Sequence, residues 1–199
     1  MVSLQGTSKL KRQDAPDELE LVRRFINTWD AEFGTDALAT AGNAAEWMAG
    51  ESLIDGPVGL TEAGRERAVQ IREALRALAR LNGHGQVGPG VLEQLNGAAD
   101  QARFCLRFTA DGEIKISSGA TDVASRAIGR ILAIVAVAFV DGTWKRMRIC
   151  RAEDCGWAFY DRSRNRSGVW CQMAECGNRS KVRTHRERAR EAAPRPSKR

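Results

Sequence analysis

Four of the five cysteines lie in two close pairs in the C-terminal quarter of the chain, Cys150 with Cys155 and Cys171 with Cys176. Four residues separate the members of each pair, and fifteen residues separate the pairs. This is the spacing of a structural zinc site, in which each close pair bends the backbone so that two thiolates reach one ion. Because four thiolates complete a tetrahedron and leave no open position, the pattern predicts one structural Zn²⁺ rather than a hydrolytic centre.

Other residues with catalytic potential are sparse. Histidine occurs only at His84, in a glycine-rich stretch, and at His185 in the basic C-terminal region, so no Ser–His–Asp or Cys–His arrangement is predicted. Cys105 lies in an alternating strand pattern, which favours a buried structural thiol. Residues 83–88 match Gly-x-Gly-x-x-Gly, but they follow a predicted helix rather than a strand, so a flexible loop is the better interpretation. We therefore expect the protein not to be an enzyme.

The sequence around the cysteines predicts a small treble-clef-like zinc finger. Residues 150–156 form a zinc knuckle, residues 157–160 a strand and residues 169–171 its return strand, and a helix begins at 176–179. A segment of this length buries too little apolar surface to fold alone, so zinc should supply much of its folding free energy. We expect the finger and its basic helix to occupy residues 145–192, with a basic tail over 193–199.

Positive charge is concentrated in the same region. Residues 145–199 carry 16 basic and 6 acidic side chains, a net charge of +10, whereas residues 1–144 carry 15 basic and 19 acidic side chains, a net of −4. A basic region on an acidic body predicts binding of a polyanion.

Four arginines of the C-terminal helix fall within one narrow stripe when successive residues are placed about 100° apart. They are Arg179, Arg183, Arg186 and Arg190. Lys181 and Arg188 face away from the stripe, and Val182 beside it is expected to contact the knuckle. Stacked like charges repel one another on an isolated helix, so the stripe becomes favourable when an anion neutralises it. DNA phosphate is the expected partner; RNA, an acidic protein surface and a merely solvated face remain alternatives.

Three further arginines, on the connection between the predicted strands, could grip backbone phosphates. Asn178 or Arg179 could read a base edge, or could instead hydrogen-bond the thiolates; we expect that second role for the backbone of Gly177 and Asn178 and leave Arg179 open. The candidate nucleic-acid-binding residues are Arg162, Arg164, Arg166, Arg179, Lys181, Arg183, Arg186 and Arg190.

Residues 17–144 are predicted to form a mainly helical domain with one small sheet, after a mobile N-terminus over residues 1–16. With the finger, this makes an α+β protein. A β-hairpin with a type I′ turn at Asp111-Gly112 is expected over residues 103–118. Predicted helices start at Asp17, cover residues 36–48, 61–81 (capped by Thr61) and 91–99, and run from Asp122 to Asp141.

No membrane or export segment is predicted. The N-terminus lacks the apolar core of a signal peptide. The most apolar stretch, residues 131–140, is shorter than the roughly 18 apolar residues that cross a bilayer, so a buried core helix is expected. We expect a cytoplasmic protein without a membrane partner, whose cysteines are reduced or metal-bound.

Residues 150–190 resemble the CGNR zinc-finger family, named for residues that stand here at 176–179 and also marked by the D-x-S-R-N segment at 161–165. Residues 17–140 are similar to an ABATE domain in the order of elements and in the Phe-Ile-Asn-Thr motif at 25–28. The resemblance implies a bacterial, stress-induced transcription regulator. Its N-terminal domain would be a sensor or interaction module for an unknown effector, and its finger would read DNA.

Overall fold

The computed structural model describes residues 14–83 and 85–192. The predicted basic tail, His84 and most of the predicted mobile N-terminus lie outside these residues. The helices are α1 (Leu19–Ile26), α2 (Ala41–Gly50), α3 (Glu62–Leu81), α4 (Pro89–Ala102), α5 (Val123–Val140) and α6 (Asn178–Ala192). The strands form three antiparallel pairs: β1 (Trp29–Asp30) with β2 (Thr35–Asp36), β3 (Phe104–Phe108) with β4 (Ile114–Ser118), and β5 (Met147–Ile149) with β6 (Ala158–Tyr160).

Side-chain caps start the helices where the sequence contains them. Thr61 accepts from the backbone N–H of Gly64 at 3.1 Å, and Asp122 accepts from Ser125 at 3.0 Å, as their residue types predict. Helix α2 begins later than expected, because Asp36 is paired in β2 and its carboxylate accepts the N–H of Leu38 at 2.8 Å. The chain is thus held in a turn before the helix can start.

The β3–β4 hairpin is present, but the predicted type I′ turn is wrong. That turn needs positive φ at both central residues, and only Gly112 (φ 83°), not Asp111, has it. The N–H of Gly112 donates to the carbonyl of Thr109 at 3.0 Å, and the N–H of Thr109 donates to Glu113 at 2.9 Å, which makes a wider loop. Cys105 on this hairpin is half-buried rather than buried, because the strands lie at the margin of the fold.

Helix α5 is the central core helix. Its length and mean hydropathy of 2.0 would allow it to cross a membrane, but 61% of it is buried inside the protein. It packs against α1, α3 and α4, with Ile131 and Val135 among its buried side chains. The predicted core helix over residues 131–140 is therefore confirmed for the face that carries Ile131 and Val135, whereas Val140 at the end of the helix is exposed.

The first strands of the finger belong to the same core. Met147, Ile149, Ala158 and Tyr160 of β5 and β6 cluster with the buried side chains of α1, α3 and α5. The helical region and the finger therefore share one apolar core.

Polar side chains of the helical region bind the β6 backbone. Asn27 donates to the carbonyl of Ala158 at 2.9 Å and accepts its N–H at 2.7 Å. Buried Arg76 donates to the carbonyls of Ile26 and Gly156. These bonds satisfy groups that burial would otherwise leave unpaired.

The end of the predicted mobile N-terminus is also bound. Ala15 is buried, and Asp14 pairs with Arg23 at 3.1 Å. Arg162, from the finger, donates to the carbonyl of Asp14 at 2.9 Å. Residues 14–16 thus connect the two regions.

The strand pairing of the finger differs from the prediction. β6 pairs with β5, which precedes the knuckle, and not with residues 169–171. Among the described residues, one backbone–backbone bond joins residues 169–171 to the knuckle, from the N–H of Arg151 to the carbonyl of Val169 at 3.1 Å. The knuckle is therefore the loop of the β5–β6 hairpin, and Asn27 already bonds the N–H and the carbonyl of Ala158 on β6.

Candidate metal centre and basic helix

The four paired cysteines converge. Their Sγ atoms all lie within 4.8 Å of one another. The Sγ of Cys171 is 3.7 Å from that of Cys155 and 3.6 Å from that of Cys176. Four sulfurs at the usual Zn–S distance of about 2.3 Å would be about 3.8 Å apart in a tetrahedron. The cluster therefore has the size and donor set for one zinc ion.

Local backbone geometry presents the sulfurs. In the knuckle, the N–H of Cys150 donates to Trp157 at 2.8 Å, and left-handed Gly156 (φ 60°) turns the chain after Cys155. A π-helical turn, Met173–Gly177, presents Cys176 just before α6. A Cβ at Gly177 would clash with the sulfur of Met173, so a larger residue there would displace that exposed side chain.

The sulfurs cannot all be ionised without a cation. A hydrogen bond from Cys155 lowers the pKa of the Cys150 thiol to about 2, and the same bond raises the pKa of Cys155 to about 12. One thiolate is thus stabilised at the expense of its neighbours. A divalent ion removes this conflict, since zinc binds the deprotonated thiol. The four cysteines hold one structural zinc ion.

Arg179 supports the metal centre. Its Nη2 lies 3.4 Å from the Sγ of Cys176, and its Nη1 pairs with Glu32 at 2.9 Å and Asp154 at 3.5 Å. The sulfur, and then Glu32, raise the pKa of the guanidinium. Arg179 thus neutralises thiolate charge and links the finger to the β1–β2 turn.

The expected role of the Gly177 and Asn178 backbone near the thiolates is not seen. The N–H of Gly177 donates to the carbonyl of Gln172, and the N–H of Asn178 donates to the carbonyls of Met173 and Glu175. The π-helical turn uses these groups itself, which leaves the bond to the sulfur to Arg179. Sequence spacing offered no signal for this choice.

Replacing Arg179 with glutamine should weaken zinc binding by about tenfold, the lower end of the effect of removing a partner of a metal ligand. Competition with a chromophoric chelator measures it. Arg186→Gln removes the same charge from the same helix, away from sulfur, and should leave the affinity unchanged. Equal affinities in the two variants would contradict the role of Arg179.

The arginine stripe is not a row of four free charges. Arg179 is bound as described, and Arg183 pairs with Glu153 of the knuckle at 3.0 Å. Arg186 is exposed and has no ion-pair or hydrogen-bond partner in the described part of the chain. The side chain of Arg190 lies outside the described residues.

The described side chains of α6 beyond residue 180 are exposed. Lys181 and Arg188 face solvent, again with no partner among the described residues. Val182 is 50% exposed and does not cover the knuckle as expected; the side chains of α6 that reach the knuckle are those of Arg179 and Arg183. Residues 181–186 are exposed on every side of the helix.

The three arginines of the connection have different positions. Arg162 stacks over the ring of Tyr160, 5.6 Å from its centroid, as well as binding Asp14. Arg164 is exposed, and Arg166 lines a cavity beside the knuckle. Of the three, Arg164 is therefore the one directed only to solvent in the described structure.

Two protein-family models match the chain. The model described as "CGNR zinc finger" matches residues 146–189. The ABATE model, described as "Putative stress-induced transcription regulator", matches residues 19–142. A search of curated proteins finds no match. The first match contains the four-cysteine cluster, and the second contains α1 to α5.

Proposed function

The chain belongs to the ABATE family and carries a CGNR zinc finger, and we propose that it is a transcription regulator that binds duplex DNA through the basic helix of that finger. The zinc centre is structural in this proposal. It fixes the start of α6 relative to the helical domain, and α6 supplies the contacts to DNA.

The observation that carries the proposal is the exposure of residues 181–186 on all sides of α6. A helix of 15 residues that is polar all round is marginal in water without a partner. Lys181, Arg186 and Arg188 carry positive charges that no described carboxylate neutralises. The major groove of DNA, about 12 Å wide, accepts a helix with phosphates on both sides.

The paired arginines take different roles in the proposal. The Arg183–Glu153 pair is exposed, and such pairs contribute only about 0–1 kcal/mol, so a phosphate can replace Glu153. Arg179 stays on the sulfur and orients the helix. Arg164 extends the positive surface onto the connection between the knuckle and α6.

The aromatic side chains of the finger favour duplex DNA over single-stranded RNA. Recognition of single-stranded RNA relies on aromatic faces that stack on bases. Phe159 and Tyr160 are buried, and Trp157 packs against the thiol cluster. None of the three presents a free face for a base.

The helical domain is proposed to act as the sensor or interaction module. Because it shares a core with β5 and β6, a ligand-induced shift of α1 or α3 would reach the knuckle directly. A DNA-binding regulator with a thiolate zinc site fits the reducing cytoplasm.

The test is binding of the zinc-loaded full chain to a duplex of two helical turns, to its separated strand and to an RNA hairpin of equal length, at one salt concentration. We expect the duplex to bind at least about tenfold more tightly, with affinity that falls steeply with salt. Tighter binding to RNA, or no binding to any nucleic acid, would contradict the proposal.

A further inference from the structure

A second basic feature lies beside the knuckle. An open cavity of about 750 Å³ is lined by Gly83 and Gly85 after α3, by the knuckle and by residues 165–169. Ligand pockets typically have about 300–1,000 Å³. Four arginines line it against a single acidic residue, Glu153: they are Arg80, Arg148, Arg151 and Arg166.

Arg148 differs from the other buried arginines. Arg23, Arg72 and Arg76 are each paired with a carboxylate at 3.1 Å or less. Arg148, only 9% exposed, has no carboxylate within 4.0 Å among the described residues. The buried carboxylate of Asp161 acts on Arg148 only beyond ion-pair distance, and the N–H groups of Ser163 and Gly168 donate to its oxygens. A buried charge without a contacting counter-ion is costly, so this guanidinium can still accept an anion.

The guanidinium of Arg148 also has an unused donor. The Nη2 atom of Arg148 donates to the carbonyl of Arg166. The Nε atom of Arg148 is buried and has no hydrogen-bond partner among the described residues. Gly83 allows this arrangement, since a Cβ there would lie 3.3 Å from the other terminal nitrogen. Arg151 approaches the same loop, donating to the carbonyl of Gly83 at 2.9 Å.

Glu153, the one acidic residue that lines the cavity, already forms an ion pair. The carboxylate of Glu153 pairs with Arg183 of α6, so it does not neutralise the cavity arginines. Arg80 and Arg166 are exposed at its rim, with side chains that have no partner among the described residues. The cavity therefore carries a surplus of positive charge around one buried, incompletely bonded guanidinium.

We infer that this cavity binds a small molecule that carries a phosphate group. Phosphate oxygens accept paired hydrogen bonds from one guanidinium and tolerate several at once. The volume exceeds that of a phosphate alone, and Ile149 and Val169 provide apolar surface for an organic part. The inference does not depend on DNA binding by α6.

The test is calorimetric titration of the zinc-loaded full chain with inorganic phosphate and with adenosine 5′-monophosphate, at constant ionic strength. We expect one site per chain, with a Kd for phosphate on the order of 1 mM. Adenosine 5′-monophosphate should bind more tightly because it fills more of the cavity. Zinc content is measured alongside, so that loss of metal is not mistaken for loss of the site.

The exposed rim arginines provide variants that should fold. Arg80→Gln and Arg166→Gln should each weaken phosphate binding by about tenfold, the effect of one charge-assisted hydrogen bond. Arg164→Gln, on the same connection but outside the cavity, is the matched control and should change it less than about twofold. Arg148→Gln should abolish binding if it folds, but the conclusion rests on the rim variants.

Three results would overturn the inference. The first is no binding of either probe by the parent protein, and the second is equal weakening by Arg164→Gln. The third is weaker duplex binding in the rim variants without any binding of the two probes, which would make the cavity a contact for a DNA phosphate. Failure of α6 to bind DNA would leave the phosphate titration unaffected, so the two proposals fail separately.

Discussion

Replacing Cys176 with serine should reduce the zinc content from one ion per chain to almost none and unfold the metal-dependent part of the finger. Binding of structural zinc is worth about 10–16 kcal/mol in small zinc-finger peptides, as much as the whole stability of a typical domain. The turn at Met173–Gly177 and helix α6 have little apolar contact to replace it. We expect residues 161–192 and the knuckle to lose their structure.

Strands β5 and β6 should survive this change. Their side chains lie in the shared core, and Asn27 binds the backbone of Ala158. Hydrogen exchange should therefore show lost protection in α6 and the knuckle but retained protection in α1, α3, α5, β5 and β6. The sequence alone assigned all of residues 145–192, including β5 and β6, to a finger that depends on zinc for much of its folding free energy.

Cys105→Ser is the matched control, because Cys105 is not part of the four-sulfur cluster. It should keep one zinc per chain, measured by elemental analysis. A Cys176→Ser protein that retains full zinc and a protected α6 would refute the assignment of the metal centre.

The double change Lys181→Gln and Arg186→Gln should make DNA binding less dependent on salt. If each side chain neutralises one phosphate, the slope of log affinity against log salt should flatten by about 1.8, at about 0.9 per contact. Affinity should fall for all sequences alike, because phosphate contacts position the protein rather than specify the site. The measurement is binding to one duplex over a range of salt concentrations.

A control with the same charge change lies on the β3–β4 hairpin. Arg107→Gln with Lys115→Gln removes one arginine and one lysine from exposed positions far along the chain from the finger. This variant should keep the parent slope, and Arg183→Gln should flatten it by less than one full contact because Glu153 competes for that side chain. Equal flattening by the hairpin variant would mean that only total charge matters.

Much of the site was predictable because the chemistry is local. Zinc requires four thiolates at short range, and the two Cys-x4-Cys pairs supply them whatever the rest of the chain does. The starts of α3 and α5 follow from Thr61 and Asp122, since a capping side chain bonds the backbone only three residues away. Likewise the hairpin at 103–118 follows from alternation around one turn.

The pairing of strands in the finger and the roles of its arginines depend on contacts that spacing does not record. β6 pairs with β5 because both bury side chains in a core built from α1, α3 and α5. Arg179 has the same residue type and helix face as Arg186, yet it lies beside a thiolate and Glu32 while Arg186 faces solvent. Arg148 is buried without a carboxylate in contact for a similar reason: the partner of a charge is set by segments tens of residues away, and these meet only when the chain folds.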